Sequence, residues 1–200
     1  MLKLYYAKGT CSSAVYMTAK SLGIELELIT VDIVKAVTED GRDFKEINPK
    51  AYVPALQLEN GEVITEVVAI CAYLASLKGE NSVFPLSGMG LIDQLEWFNY
   101  IGTEIHKNYM PLFFKLFGMD TGEQWPEHVT KQLNYRYKYV EAKLANQPYL
   151  TGETVTSVDY YLLMTTLWAV KTNYDLSSFP NVLAFKERMM QLPVVQQVLA

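Results

Sequence analysis

Strand and hairpin signals fall in the first 66 residues of the chain, and no convincing strand appears after residue 90, where four segments read as helices. That asymmetry constrains the fold more than any other feature. Leu2 to Tyr6 is a short aromatic and aliphatic run that predicts a buried strand. Gly9-Thr10-Cys11-Ser12-Ser13 breaks it, and a helical pattern follows with Val15, Ala19 and Leu22 on one face and Gly23 at the stop position. Leu26 to Val31 predicts a second strand. A strand, a helix and a strand in so short a span form a βαβ unit, with parallel strands and a right-handed crossover. A polar segment with one short helix runs to Asn48-Pro49. Val53 to Leu58 and Glu62 to Thr65 then flank Asn60-Gly61, the strongest short hairpin signal. Glu66 to Lys78 is helical, with Val67, Ile70, Cys71, Leu74 and Leu77 on one stripe.

The order β-α-β, link, β-β-α predicts a mixed four-stranded sheet covered by helices, a thioredoxin-like lobe over residues 1–80. Gly79 to Gly90 holds Pro85, three glycines and two serines and reads as a linker. Residues 88–200 predict an all-α helical bundle: Leu91 to Leu116, Glu127 to Ala145, Ser157 to Lys171, and Asn181 to Leu199 with a break at Pro193. The start of the third is well marked. Thr156 and Asp159 stand in capping-box spacing, and the apolar run after them predicts a central helix.

A chain of 200 residues buries roughly 70% of its unfolded surface, so it needs neither disulfide nor metal to fold. A net charge of −5 gives no electrostatic reason to expect nucleic acid. The longest mostly apolar stretch, Tyr160 to Val170, falls short of the ~20 residues of a membrane span, and no signal-peptide core is seen at the start. The expectation is a soluble cytoplasmic protein. Two distant cysteines, Cys11 and Cys71, read as free thiols in that compartment. With only two histidines, His106 and His128, and no zinc spacing, no metal site is expected.

Cys11 lies where the first strand gives way to the first helix. Unpaired N–H groups at a helix start favour thiolate over thiol, and such positions can lower a cysteine pKa to roughly 3.5–7.5. The competing reading is a small hydrophobe packing the turn. Cys71, inside an apolar helical stripe, is expected to be inert. Pro54 cannot donate to a ladder and belongs at a strand's start or on an edge. A cis Val53–Pro54 bond would leave the backbone of Val53 open to an extended ligand, whereas a trans bond would be unremarkable, and local sequence does not choose between them. His106 and Lys107, adjacent on a helix after Trp97 and Asn99, read locally as a solvated face. The aromatics of the second half are mostly core, with some available to line an apolar pocket.

Taken in order, these residues resemble the bacterial beta-class glutathione S-transferases. The likeness is carried by Leu4-Tyr5-Tyr6, Gly9-Thr10-Cys11-Ser12, Asp43-Phe44, Ile47-Asn48-Pro49-Lys50, Val53-Pro54-Ala55-Leu56 and Thr65-Glu66 in the first lobe. In the second it is carried by Glu96-Trp97, Asn99, His106-Lys107, Pro111-Leu112-Phe113, Thr156, Asp159 and Tyr161-Leu162. The resemblance implies glutathione as co-substrate, a small hydrophobic electrophile as second substrate, and a homodimer. It implies a cis bond at Pro54 and a Val53 backbone paired with the cysteinyl unit. Cys11, Ser12, Tyr6 and His106 become the catalytic candidates. Lys35, Tyr52, Val53, Pro54, Glu66, Val67, Asn99, His106 and Lys107 become the glutathione-binding ones. Two carboxylates and an ammonium on the tripeptide suit a carboxylate, a lysine, a histidine and helix N-termini.

The sequence departs from the family pattern at four places. Ala36 stands where a glutathione-contacting lysine is usual, with Lys35 one position early, and Val67 replaces a small or hydroxyl residue. Lys8 replaces a proline, and Val158 and Tyr160 replace small residues in the capped helix. Three functions are therefore weighed: conjugation of glutathione, glutathione-dependent thiol–disulfide exchange or peroxidase chemistry through a Cys11 mixed disulfide, and a catalytically silent binding protein on the same fold.

Overall fold

A computed structural model describes residues 1–120, 122 and 124–200, and they fall into two compact units. The first comprises Met1–Ile92 together with Leu192–Ala200, the second Asp93–Gln191.

In the first unit, β1 (Lys3–Tyr6), α1 (Ser12–Ser21) and β2 (Glu27–Asp32) form the βαβ element, with β1 and β2 parallel and Tyr5 opposite Ile29. β4 (Ala55–Gln57) pairs antiparallel with β1, and β5 (Val63–Thr65) pairs antiparallel with β4. The hairpin between them turns at Gly61, whose φ of +90° suits a residue without Cβ. α2 (Val67–Ser76) follows, packs with α1 and contacts β5.

The sheet has five strands where the sequence predicted four. β3 (Val37–Thr38) adds an antiparallel edge to β2, giving the order β3-β2-β1-β4-β5. Two short-range devices turn the chain back to make that edge. The Asp32 carboxylate accepts the N–H groups of Val34 and Lys35, and Ala36 adopts φ +54°. A two-residue strand is too short for alternation to reveal in sequence. The expected short helix is the 3-10 turn Phe44–Glu46, capped by the Asp43 carboxylate on the Lys45 N–H at 2.9 Å.

Side chains alternate across the sheet. One face buries Tyr5, Ile29, Val31, Phe44, Val53 and Ala55, with the Tyr5 and Phe44 rings 5.7 Å apart. Leu4 and Leu56, paired in register and both fully buried, occupy the opposite face. The C-terminal helix α8 (Pro193–Leu199) packs on α1, and Lys8 Nζ donates to the Ala200 carbonyl at 2.6 Å.

The segment expected as one helix from Leu91 to Leu116 is α3 (Gly88–Tyr100), a wide π-helical stretch Ile101–His106, and α4 (Lys107–Leu116). Gly102 and Pro111 both weaken the regular i→i−4 ladder here. In the second unit α5 (Gln124–Leu144), α6 (Ser157–Thr172) and α7 (Pro180–Met190) complete the bundle. The expected central helix is α6, in which every residue from Ser157 to Thr166 is buried. Its buried Thr165 and Thr166 hydroxyls donate back to the carbonyls of Leu162 and Leu163. Asp159 anchors its start. One carboxylate oxygen accepts the N–H of Leu150 and the other the N–H and hydroxyl of Thr156, each at 2.8 Å. Burial nevertheless raises this carboxyl to about 6.

Candidate active site

In the first unit, one cluster of candidate residues gathers at the carboxyl end of β1. Thr10 closes the turn before α1: its hydroxyl donates to the Ala7 carbonyl at 2.8 Å and accepts the Ser12 N–H at 3.3 Å, while its carbonyl takes the Ser13 N–H. The N–H groups of Ser12, Ser13 and Ala14 are thus already paired, the last with the Cys11 carbonyl. This corrects the expectation of unpaired amides at that helix start, because Thr10 satisfies the first two locally and the Cys11 carbonyl the third. Ser12 is fully buried, and its hydroxyl lies 3.0 Å from the Ala7 nitrogen and 3.1 Å from the Ala7 carbonyl, so it braces the turn. Tyr6 is half-buried, with its ring 6.3 Å from that of Tyr16.

Cys11 follows this turn and is 7% exposed. Its thiol donates to the carbonyl of Val53 at 3.5 Å. The Val53–Pro54 bond is cis, and the ladder between β1 and β4 starts only at Ala55, which leaves Val53 beyond the paired strand. Cys71, in contrast, is fully buried, touches the Thr18 hydroxyl at 3.5 Å, and has its thiol pushed up to about 12 by burial.

Glu66 forms the second focus. It precedes α2 with φ +74°, a conformation uncommon for a residue with a side chain. Its Oε1 accepts from Lys50 Nζ at 2.6 Å and from the Tyr52 hydroxyl at 2.8 Å. Its carboxylate raises both partners' pKa values. Asn48 delivers them. Its side-chain amide donates to the Tyr52 carbonyl at 2.7 Å and its side-chain oxygen accepts the Lys50 N–H, while Ala51 turns at φ +58°. Lys50 was not among the expected site residues, although the Asn48-Pro49-Lys50 turn carried the signal. Val67 is buried at the first position of α2.

Lys35 lies on the turn between β2 and β3. It is exposed, and its ammonium pairs with Asp32 at 3.6 Å. Ala36, at the family's lysine position, is 8% exposed with positive φ, and its carbonyl takes the Phe44 N–H.

In the second unit, His106 ends the π-helical stretch. Its Nδ1 lies 2.6 Å from the Tyr161 hydroxyl, and its ring sits edge-on to Trp168 at 4.6 Å. Burial, then the neighbouring Lys107 charge, lowers its pKa to about 4, so the ring is neutral near pH 7. Tyr161 and Trp168 were not picked out as site residues, because a wide helical turn and a contact across helices leave no mark on local sequence. Lys107 is exposed at the start of α4. Asn99 is exposed on α3 and lines a groove of about 620 Å³ with Trp97, Tyr100, Tyr135 and Tyr139. Among the described residues, no cluster of three or more His, Cys, Asp or Glu is arranged to hold a metal ion. No helix among them is long and apolar enough to cross a membrane.

A thioredoxin-like sheet with a cis-proline beside a cysteine, joined in one chain to an all-helical unit, defines the class. Comparisons place the chain within it. Residues 10–77 match the glutathione S-transferase N-terminal domain and residues 105–193 the C-terminal domain. The glutathione S-transferase GstA of Escherichia coli O157:H7 is 36% identical over 200 residues, spanning 100% of this chain and 98% of that one. A glutathione transferase structure from Methylococcus capsulatus superposes with a TM-score of 0.93 at 38% identity, covering 100% and 97% of the two chains. A beta-class glutathione S-transferase from Sphingomonas chungbukensis gives 0.90 at 27% identity, covering 98% and 96%. The chain belongs to the glutathione S-transferase family and closely matches its bacterial beta class. It is an enzyme of that kind, joining glutathione, its co-substrate, to electrophiles in detoxification.

Proposed function

We propose that glutathione is held along the backbone of Val53, with its sulfur beside Cys11, for attack on small hydrophobic electrophiles. The observation that carries this reading is the 3.5 Å contact between the Cys11 thiol and the Val53 carbonyl, which joins the turn before α1 to the cis-proline. An extended peptide pairing with Val53 would use the sheet-addition mode of recognition. Tyr52 and Pro54 frame that residue, with Val67 behind Glu66. Glu66 suits the ammonium of the γ-glutamyl group, and Lys50 adds a cation for a carboxylate. Asn99, His106 and Lys107 are assigned to glutathione by the family resemblance, as are Ser12 and Tyr6 to support of its sulfur. Lys35, tied to Asp32 on an exposed turn, is assigned to glutathione by the family resemblance alone. Residues 1–80 serve as the glutathione-binding domain and 88–200 as the helical domain, whose last residues, Leu192–Ala200, belong to the first compact unit.

A second reading has its own observation. A thiol beside the cis-proline is placed for thiol–disulfide exchange with a glutathione mixed disulfide. A cytoplasmic homodimer completes the proposal, and elution only as a monomer in size-exclusion chromatography would remove its dimeric part. Calorimetric titration of glutathione into the enzyme tests the main claim. Saturable heat with 1:1 stoichiometry is expected, and a flat titration would overturn it.

A further inference from the structure

We infer that Tyr161 is a positioning residue for His106: its hydroxyl donates to Nδ1 and holds the imidazole as the tautomer protonated on Nε2. The inference rests on the reading of His106 as a glutathione-binding residue and adds which hydrogen-bonding face it offers.

The geometry is tight. Tyr161 Oη and His106 Nδ1 are 2.6 Å apart, short for an O–H···N contact. A phenol, with a pKa near 10, is a far stronger acid than a neutral imidazole N–H, so the shared proton belongs to the oxygen. With Nδ1 occupied as acceptor, the ring's one proton must sit on Nε2. Neither partner is loose. Tyr161 is 5% exposed on α6, with its ring 5.9 Å from Phe98. Gly102, in the same π-helical stretch as His106, flanks the hydroxyl; a Cβ there would lie 3.7 Å from it. Trp168 blocks rotation of the imidazole from another side.

The second ring nitrogen makes no hydrogen bond with any described residue. Protonated, it is purely a donor, matched to an anionic oxygen or sulfur of glutathione. The neutral ring contributes direction without charge, and Lys107 supplies the charge.

Nitrogen-15 NMR on histidine-labelled enzyme reads the tautomer directly. With only two histidines in the sequence, His128→Gln assigns the spectrum. The expected result is an unprotonated Nδ1 and a protonated Nε2 for His106, with the two forms mixing in Tyr161→Phe. A proton on Nδ1 in the wild type would overturn the inference, whether or not the variant folds. Kinetics supply the second arm. Tyr161→Phe should lower kcat/KM for glutathione roughly three- to ten-fold, the worth of one neutral hydrogen bond. In a His106→Gln background, whose amide needs no tautomer selection, the same change should have no further effect. Equal losses in both backgrounds would mean a merely structural Tyr161 and would sink the role. Unchanged glutathione kinetics in His106→Gln alone would instead defeat the assignment of His106 to glutathione, an outcome the NMR arm keeps separate.

Discussion

The thiol of Cys11 and the carbonyl of Val53 meet at 3.5 Å, although 42 positions separate them in the chain. That contact ties the turn before α1 to the residue that precedes the cis-proline. A thiolate has no proton to give the carbonyl, so the hydrogen bond seen here belongs to the protonated cysteine.

Cys11→Ala separates the two chemistries open to such a site. Conjugation of a model electrophile should persist within roughly ten-fold, because a bound glutathione brings its own sulfur. Reduction of a glutathione mixed disulfide should fall on the order of a hundred-fold or more, because exchange requires the protein thiolate. Undiminished reductase activity in the variant would remove the exchange reading.

Glu66→Gln keeps the shape of the side chain but removes the charge shared by Lys50 and Tyr52. The KM for glutathione should rise roughly ten-fold or more, in line with loss of a charged hydrogen bond. Tyr52→Phe, which removes one neutral donor, should cost about three-fold or less. An unaltered KM in Glu66→Gln would exclude the ammonium-binding role.

His106 gives a dependence of stability on pH with a definite sign. Its folded pKa of about 4 lies below the ordinary 6.5, so the unfolded chain binds the extra proton first. Its stabilising contribution is complete above about 6.5 and is lost as the pH falls toward 4, up to roughly 3 kcal/mol. Asp159 works in the opposite sense. Its raised folded pKa of about 6 gives stability present below the usual carboxylate value and lost as the pH rises through 6. Urea midpoints of wild type and His106→Gln across pH 4–7 isolate the histidine. The variant should lose less stability on acidification, and parallel curves would refute the assignment.

Asp159→Ala should destabilise the helical unit by about 3 kcal/mol or more, since the buried N–H groups of Leu150 and Thr156 lose their acceptor. Thr156→Ala, which leaves both of those contacts in place, should cost about 1 kcal/mol. Chemical denaturation read by far-UV circular dichroism checks both, and equal effects would contradict the dominance of the carboxylate.

The local signals in the sequence were sound guides where one stretch of chain decides the outcome. Asn60-Gly61 marked the hairpin because a positive φ is cheapest at glycine, and Thr156 with Asp159 marked the start of α6 because the cap closes within four residues. Cys71 was legible as inert from its apolar stripe alone. Local pattern was silent where a residue's partner is distant. Nothing near Lys50 announces Glu66, nothing near His106 announces Tyr161 or Trp168, and β3 is shorter than the period that would reveal it.

Residue types in order thus determined the two-part architecture, the strand-to-helix turn at Cys11 and the family, because hydrophobic period, turn chemistry and caps act over a few residues. Only the tertiary structure decided that Cys11 meets the carbonyl of Val53 and that Glu66 is shared by Lys50 and Tyr52. It alone also showed that the imidazole of His106 is neutral against a tyrosine. Each depends on which groups are brought within about 3 Å and shut away from water, and that is settled by packing between segments far apart in the chain.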